Sequence, residues 1–336
     1  MQRTSICAFA LVAAVFGVSE ASAQKKEIRV AAFTHEKSIG VAHVLAPFVS
    51  AVNKQVGGEV RAKGYWGGSL GRDPKKYYDL IRDGVIDIAY FDPGYSPGRF
   101  QDFGLFELPF TAQSGVEASI AMWRAYKQGL VGGLDEIKLL GLFTTDVYLI
   151  HTSKPVDSVF QLNGIKIRAA APIHAETIRT LGGVPIGIPI TQTTEALSRG
   201  VVDGALSGYS TLTVFRMLPI VKYHYEASLG VVPLVVGMNK KSWESLSPAA
   251  KAAYEKHSGL VMARNGGGGF EKVRGVTLAK IRNSKEHKRL SLSDQEMKKG
   301  RELMKPVYAS WIKSVPDGQK KFDAYMKILA DIRAGR

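Results

Sequence analysis

Three groupings of residues have the types and spacing for chemistry. Gly94-Tyr95-Ser96-Pro97-Gly98 fits the G-x-S-x-G pattern of a nucleophile elbow. Such an elbow completes its oxyanion hole with the backbone N–H of the residue after the serine, and here that residue is Pro97, which has none. Losing one donor of this kind removes roughly 3–4 kcal/mol of transition-state stabilisation. The segment therefore reads as a turn, with a hydrolase using Ser96 as the alternative. The histidines, at 35, 43, 151, 174, 224, 257 and 287, are scattered, and none forms the H-E-x-x-H pair of a zinc helix. No G-x-G-x-x-G follows a strand, so neither a metal nor a cofactor is expected. The third grouping is Asn163–Pro172. Ile165 and Ile167 alternate with Lys166 and Arg168, as in a strand with one buried face, and Pro172 suits the first turn of a helix. A guanidinium at that junction offers a planar fork of donors for a carboxylate, next to a helix N-terminus that favours an anion. An ordinary ion pair would suit a lone arginine equally well.

These residues need a frame to position them. Residues 1–23 read as a secretory leader: Arg3, an apolar run from Ile6 to Val18, and Ala21-Ser22-Ala23 as the cleavage site, so the mature chain starts at Gln24 in the periplasm. The only cysteine, Cys7, falls in that leader, which excludes disulfides and thiolate metal sites from the mature chain. The formal net charge is +15, with basic residues spread along the chain and no arginine-rich tract. That pattern argues for a surface that attracts anions and against nucleic-acid binding. The length remaining after cleavage suits two domains.

A repeated pattern supports an α/β fold. Asp73-Pro74 can start a helix, Gly84 stops it, and Val85–Phe91 reads as a strand; Thr191–Arg199, Gly200 and Val201–Leu206 repeat the sequence of elements. Ligands of open α/β sheets bind beyond the carboxyl ends of strands. That rule selects Phe91, Asp92 and Tyr95 in one half, and Arg168, Ser207 and Tyr209 in the other, around one cleft. Ala171 and His174, at the start of the helix after Arg168, join them. The last third reads as helices, with Ser247 and the Ser293–Glu296 box as caps. Asn265–Phe270, with four successive glycines, reads as a flexible joint or as a break that neighbouring segments tolerate.

The chain resembles the solute-binding proteins of tripartite ATP-independent periplasmic (TRAP) transporters, of the dicarboxylate-receptor type. The resemblance rests on "WGGSLGRD" (66–73), "IRDGVIDIA" (81–89), "FELPF" (106–110), "SKPVDSVFQLNGIKIRA" (153–169), "LGGVPIGIP" (181–189) and "EALSRGVVDG" (195–204), in order along nearly the whole mature chain. It implies a two-domain periplasmic-binding-protein fold with central sheets, an interdomain cleft, a long connecting helix and hinged closure. The domains would be 24–147 plus 236–270 and 148–235 plus 271–313, with 314–336 packing back on the first. It implies a receptor, not an enzyme, that passes an organic acid to an ion-gradient-driven permease, or reports it to a membrane sensor kinase. Arg168 would be the carboxylate clamp, with Asp92 and Tyr95 in the pocket. Two departures bear on the ligand. Ser207 stands where many members have asparagine, and Tyr148 stands where many have a second arginine. One cationic clamp is thus missing, which argues against a sialic acid or a C4-dicarboxylate. With Tyr148, Tyr95, Tyr209, Trp66 and Phe91 as candidate walls, the expected ligand is a monocarboxylate with an apolar or aromatic body.

Overall fold

The computed structural model describes residues 26–56 and 58–336. The leader and its expected cleavage site lie outside the described residues. Strands β1 (Lys26–Ala31), β2 (Val60–Tyr65), β3 (Ile88–Phe91), β4 (Ile137–Thr144), β5 (Tyr148–Thr152), β6 (Lys166–Ala169), β7 (Val184–Gly187), β8 (Gly204–Gly208), β9 (Tyr223–Tyr225), β10 (Pro233–Asn239) and β11 (Lys288–Leu290) build two mixed sheets. The first has the order β2-β1-β3-β10-β4 and the second β11-β9-β5-β8-β6-β7. β10 runs antiparallel to β3, and β5 antiparallel to β8. The starts of β10 and β5 therefore lie beside the carboxyl ends of β3 and β8.

The repeated pattern maps onto equivalent places, β3 in one sheet and β8 in the other. Each follows a short helix, Tyr77–Arg82 or Ile190–Ser198. The stop glycines that follow, Gly84 and Gly200, have φ of 76° and 68°, the left-handed conformation that releases a chain from a helix. Asp73 accepts a hydrogen bond from the Lys75 N–H at 3.0 Å, as a cap should. β3 begins at Ile88 rather than Val85, because Asp87 is held in the preceding turn by Arg29 (2.8 Å).

The chain passes between the sheets through Thr145–Val147 and again through Glu226–Val232. These crossings run side by side: the Thr145 N–H donates to the Val232 carbonyl (3.1 Å) and the Tyr148 N–H to the Gly230 carbonyl (2.8 Å). β10, a strand of the first sheet, starts at Pro233, ahead of the boundary expected at 236. The third connection is one continuous helix, Leu260–Arg282. It packs on β4 at one end and on the Tyr209–Val214 helix at the other, where the Thr213 and Thr277 hydroxyls meet at 2.8 Å.

That helix corrects the reading of the glycine run. Gly266–Gly269 is neither a joint nor a break but lies in the helix interior, where each glycine costs roughly 0.5–1 kcal/mol of helix propensity. Tertiary packing outweighs that cost. A Cβ on Gly266 would sit 2.5 Å from Phe143, one on Gly267 2.6 Å from the Gly115 carbonyl, and one on Gly269 2.6 Å from the His43 ring. Only glycine lets the backbone come so near on three sides. The C-terminal helix, Gly318–Arg333, lies on the Gly115–Lys127 helix of the first half, where Arg333 pairs with Glu117. No described helix is long and apolar enough to cross a membrane.

Gly268 is the internal control, because a Cβ there meets nothing within 4 Å. In denaturant melts, Gly266→Ala and Gly267→Ala should each cost about 1–3 kcal/mol from overpacking. Gly268→Ala should instead stabilise by about 0.5–1 kcal/mol. Equal effects at all three would refute the close-approach account.

Candidate functional site

Arg168 lies near the end of β6, in register with Ala205 of β8 and Ile186 of β7, and its side chain is fully buried. Nε donates to the Ile188 carbonyl (3.0 Å), Nη1 to the Leu206 carbonyl (3.4 Å) and Nη2 to the Tyr95 hydroxyl (3.4 Å). Those contacts use three of the five N–H donors of a guanidinium, so one hydrogen on each terminal nitrogen is unspent. Among the described residues Arg168 forms no ion pair.

Tyr95 reaches Arg168 from the other half of the molecule. It ends a tight turn, Pro93–Tyr95, capped by Asp92, whose Oδ1 accepts from the Gly94 N–H at 2.8 Å. Its hydroxyl also accepts from the Ile190 N–H (3.0 Å), so one oxygen ties both halves together across the cleft. Tyr95 and Asp92 line a cavity that extends between the halves. Its walls are mostly apolar, with Phe33, Phe215 and Phe270 among them. Tyr148 enters it from the start of β5. Burial pushes the Asp92 carboxyl up to about 7 despite the nearby Arg168. Burial also raises the Tyr95 phenol to about 12 and the Tyr148 phenol further, so both stay protonated donors. Behind Asp92 lies Glu107, a buried carboxyl held well above its ordinary range by burial and by Asp92.

The other expected residues divide into neighbours of this cavity and residues that face elsewhere. His174, on the Pro172–Thr180 helix, is fully buried and stacks on the Tyr148 ring (centroids 5.4 Å apart). Neither of its ring nitrogens has a partner among the described residues, and burial drops its pKa to about 3, leaving it neutral. Ser207 bonds Thr211, which does line the cavity. Ala171 caps the same helix as His174 but faces a separate, outer cavity.

Phe91, Tyr209 and Trp66 are corrections. Strand alternation turns Tyr90 and Asp92 to the cavity and Phe91 the opposite way, edge-on to Tyr78 (5.3 Å). Tyr209 opens a helix whose Thr211 and Val214 take the cavity side; its own ring packs on His151 and His224. Trp66 folds back over Gly64, outside the cavity. Ser96 closes the same turn as Tyr95 and lines a separate cavity.

Two features were missed. Phe33, Thr34 and Ser38 line the cavity just after β1; the strand-end rule applied to the first strand would have found them. The scattered histidines hid a chain in which His151 Nε2 meets the Ser207 carbonyl (3.1 Å), His151 and His224 meet through Nδ1 (2.9 Å), and His224 Nε2 meets His287 Nδ1 (3.0 Å). A carbonyl only accepts, so the direction is set: His287 donates to His224, His224 to His151, and His151 to Ser207. No group of three or more His, Asp or Glu among the described residues is arranged to hold a metal.

Residues 31–314 match the family model of the bacterial extracellular solute-binding proteins, family 7. The chain belongs to that family. One similar structure is a marine metagenome TRAP solute binding protein specific for aromatic acid ligands, in complex with metahydroxyphenylacetate. It is 27% identical with a TM-score of 0.84, covering 91% of this chain and 99% of that one. A second structure of the marine protein holds 3-hydroxybenzoate, at 26% identity and TM-score 0.84, covering 91% and 98% of the two chains. The outer membrane transporter protein TsaT of Comamonas testosteroni is 26% identical over 75% of this chain and 77% of its own. The two-domain α/β architecture expected from sequence is thus the architecture of this solute-binding protein.

The raised Asp92 pKa sets a sign for stability. Its folded-state value of about 7 exceeds the ordinary 3.8, so the neutral form fits the fold, and this contribution is lost as pH rises toward 7. Asp92→Asn keeps the oxygen that caps Gly94 and removes the charge. Its melting temperature relative to the parent protein should therefore climb between pH 4 and pH 8. A difference independent of pH would refute the assignment.

Proposed function

We propose that this protein is a receptor that captures an organic monocarboxylate with an aromatic or apolar body and hands it to an ion-gradient-driven TRAP permease. The observation that carries this reading is Arg168: a buried guanidinium with two unspent hydrogens and, among the described residues, no ion pair, which sits behind the lining of the largely apolar interdomain cavity and bonds the Tyr95 hydroxyl that lines it. A carboxylate is planar and accepts two parallel N–H bonds, so it completes that fork. Tyr95 and Tyr148 supply phenol donors next to it, and His174 one more neutral imidazole. The aromatic acids held by the similar marine protein support an aryl body.

In this reading the protein does no covalent chemistry. A leader cleaved after Ala23 exports it, and two lobes, divided where the chain crosses between the sheets, close on the ligand. Tyr95 bonds Arg168 and Ile190 only when the lobes meet, so the closed form has its own latch. The ligand adds to closure by its differential affinity for that form.

A thermal-shift screen of aryl and alkyl monocarboxylates finds the ligand, because binding to the folded state raises its melting temperature. By calorimetry with the best acid, Arg168→Ala should weaken binding by about 2–4 kcal/mol, since a charge-assisted pair is broken. Unchanged affinity in a folded variant would sink the proposal. Binding should also weaken as pH rises through about 7, where Asp92 ionises beside the bound carboxylate. Calorimetry in buffers of different ionisation heat should show a proton taken up there by the parent protein and none by Asp92→Asn.

A further inference from the structure

Three buried hydroxyls interrupt the apolar wall of the cavity. Thr34 follows β1, Ser38 opens the helical turn after it, and Tyr90 lies on β3; each lines the cavity and is at most 5% exposed. The Thr34 hydroxyl meets that of Ser38 at 2.6 Å and that of Tyr90 in a short contact. The Tyr90 ring is pinned edge-on by Phe33 (5.1 Å) and Phe143 (5.9 Å). It rests on Gly40, where a Cβ would come within 2.8 Å of its Cε1. The phenol is thus held in place before any ligand arrives.

Counting hydrogens shows what the cluster offers. Three hydroxyls joined by two contacts spend two hydrogens and leave one. If Ser38 also closes on Tyr90, all three are spent, but each oxygen keeps a lone pair. Either way the cluster accepts, and by opening one contact it donates as well. A ligand hydroxyl, which is both donor and acceptor, is the matching group. An apolar group there would leave the cluster's spare hydrogen or lone pairs unpaired.

We propose that Thr34, Ser38 and Tyr90 form a specificity site for a hydroxyl carried on the body of the ligand, away from its carboxylate. The proposal rests on the reading above, in which Arg168 takes the carboxylate, and narrows its ligand class to hydroxylated aryl monocarboxylates. Phe33, Phe215 and Phe270 flank the ring, and the three hydroxyls read its substituent.

The test is calorimetry with phenylacetate and its 3- and 4-hydroxy forms, and with benzoate and its 3- and 4-hydroxy forms. On the parent protein, at least one hydroxylated acid should bind ten-fold or more tighter than its unsubstituted partner. In Tyr90→Phe and Ser38→Ala that advantage should fall to about three-fold or less, while affinity for the unsubstituted acid holds or improves. The second variant guards against misfolding of the first, and Thr34→Val, isosteric with threonine, adds a third. Equal affinity for substituted and unsubstituted acids, or an advantage that survives all three substitutions, overturns this site and leaves the carboxylate receptor standing. Absence of binding by every aryl acid overturns both.

Discussion

Among the described residues, a buried positive charge with no ion-pair partner, Arg168, sits where the two halves meet. Moving a charge out of water is expensive unless it is paired or well hydrogen-bonded. The fold compensates Arg168 with two carbonyls and a phenol, all neutral. Asp92, a buried carboxyl that feels the charge of Arg168, sits where burial favours its protonated form. Among the described residues the guanidinium is therefore satisfied by neutral groups alone, which is the basis for proposing that an anion completes it. The elements that build the site serve this arrangement. β7 and β8 flank β6 and bring the carbonyls of Leu206 and the following Ile188 to the guanidinium, and the turn after β3 delivers Tyr95 from the other sheet.

Much of this was legible in the sequence, because strand ends and helix starts are local. Arg168, Asp92, Tyr95 and Tyr148 follow from strand ends and from a resemblance that implies a clamp at Arg168. The errors came from one-residue geometry and from tertiary contact. The sequence points to Phe91 rather than Tyr90 because alternation decides which of two neighbours faces the cavity, and a fully buried strand hides its phase. Tyr209 failed in the same way at the start of a helix. The glycine run failed for a different cause. Helix propensity is local and disfavours four glycines, whereas the contacts that select them come from Phe143, Gly115 and His43, distant in sequence. The convergence of Phe33, Phe215 and Phe270 on one cavity has no local signal.

The glycines and the ligand cavity are physically linked. Phe270 follows Gly269 directly and lines the cavity from within the connecting helix. It reaches that position because Gly266, Gly267 and Gly269 let the helix lie against the first half with almost no gap. The same helix continues to Thr277, which holds the Tyr209–Val214 helix of the second half, where Thr211 and Val214 line the opposite wall. One rigid rod therefore touches the ligand space and both halves. Close-packed contacts resist gradual deformation and favour discrete arrangements. Closure should then involve the two short crossings at Thr145–Val147 and Glu226–Val232, with the rod keeping its seat on the first half. Asp146, in the first crossing, caps the Tyr209–Val214 helix through the Ser210 N–H and hydroxyl, and Gly208 leaves it room. Asp146 thus ties the crossing to the helix that carries Thr211 and Val214, and its neighbour Thr145, in the same crossing, lines the cavity.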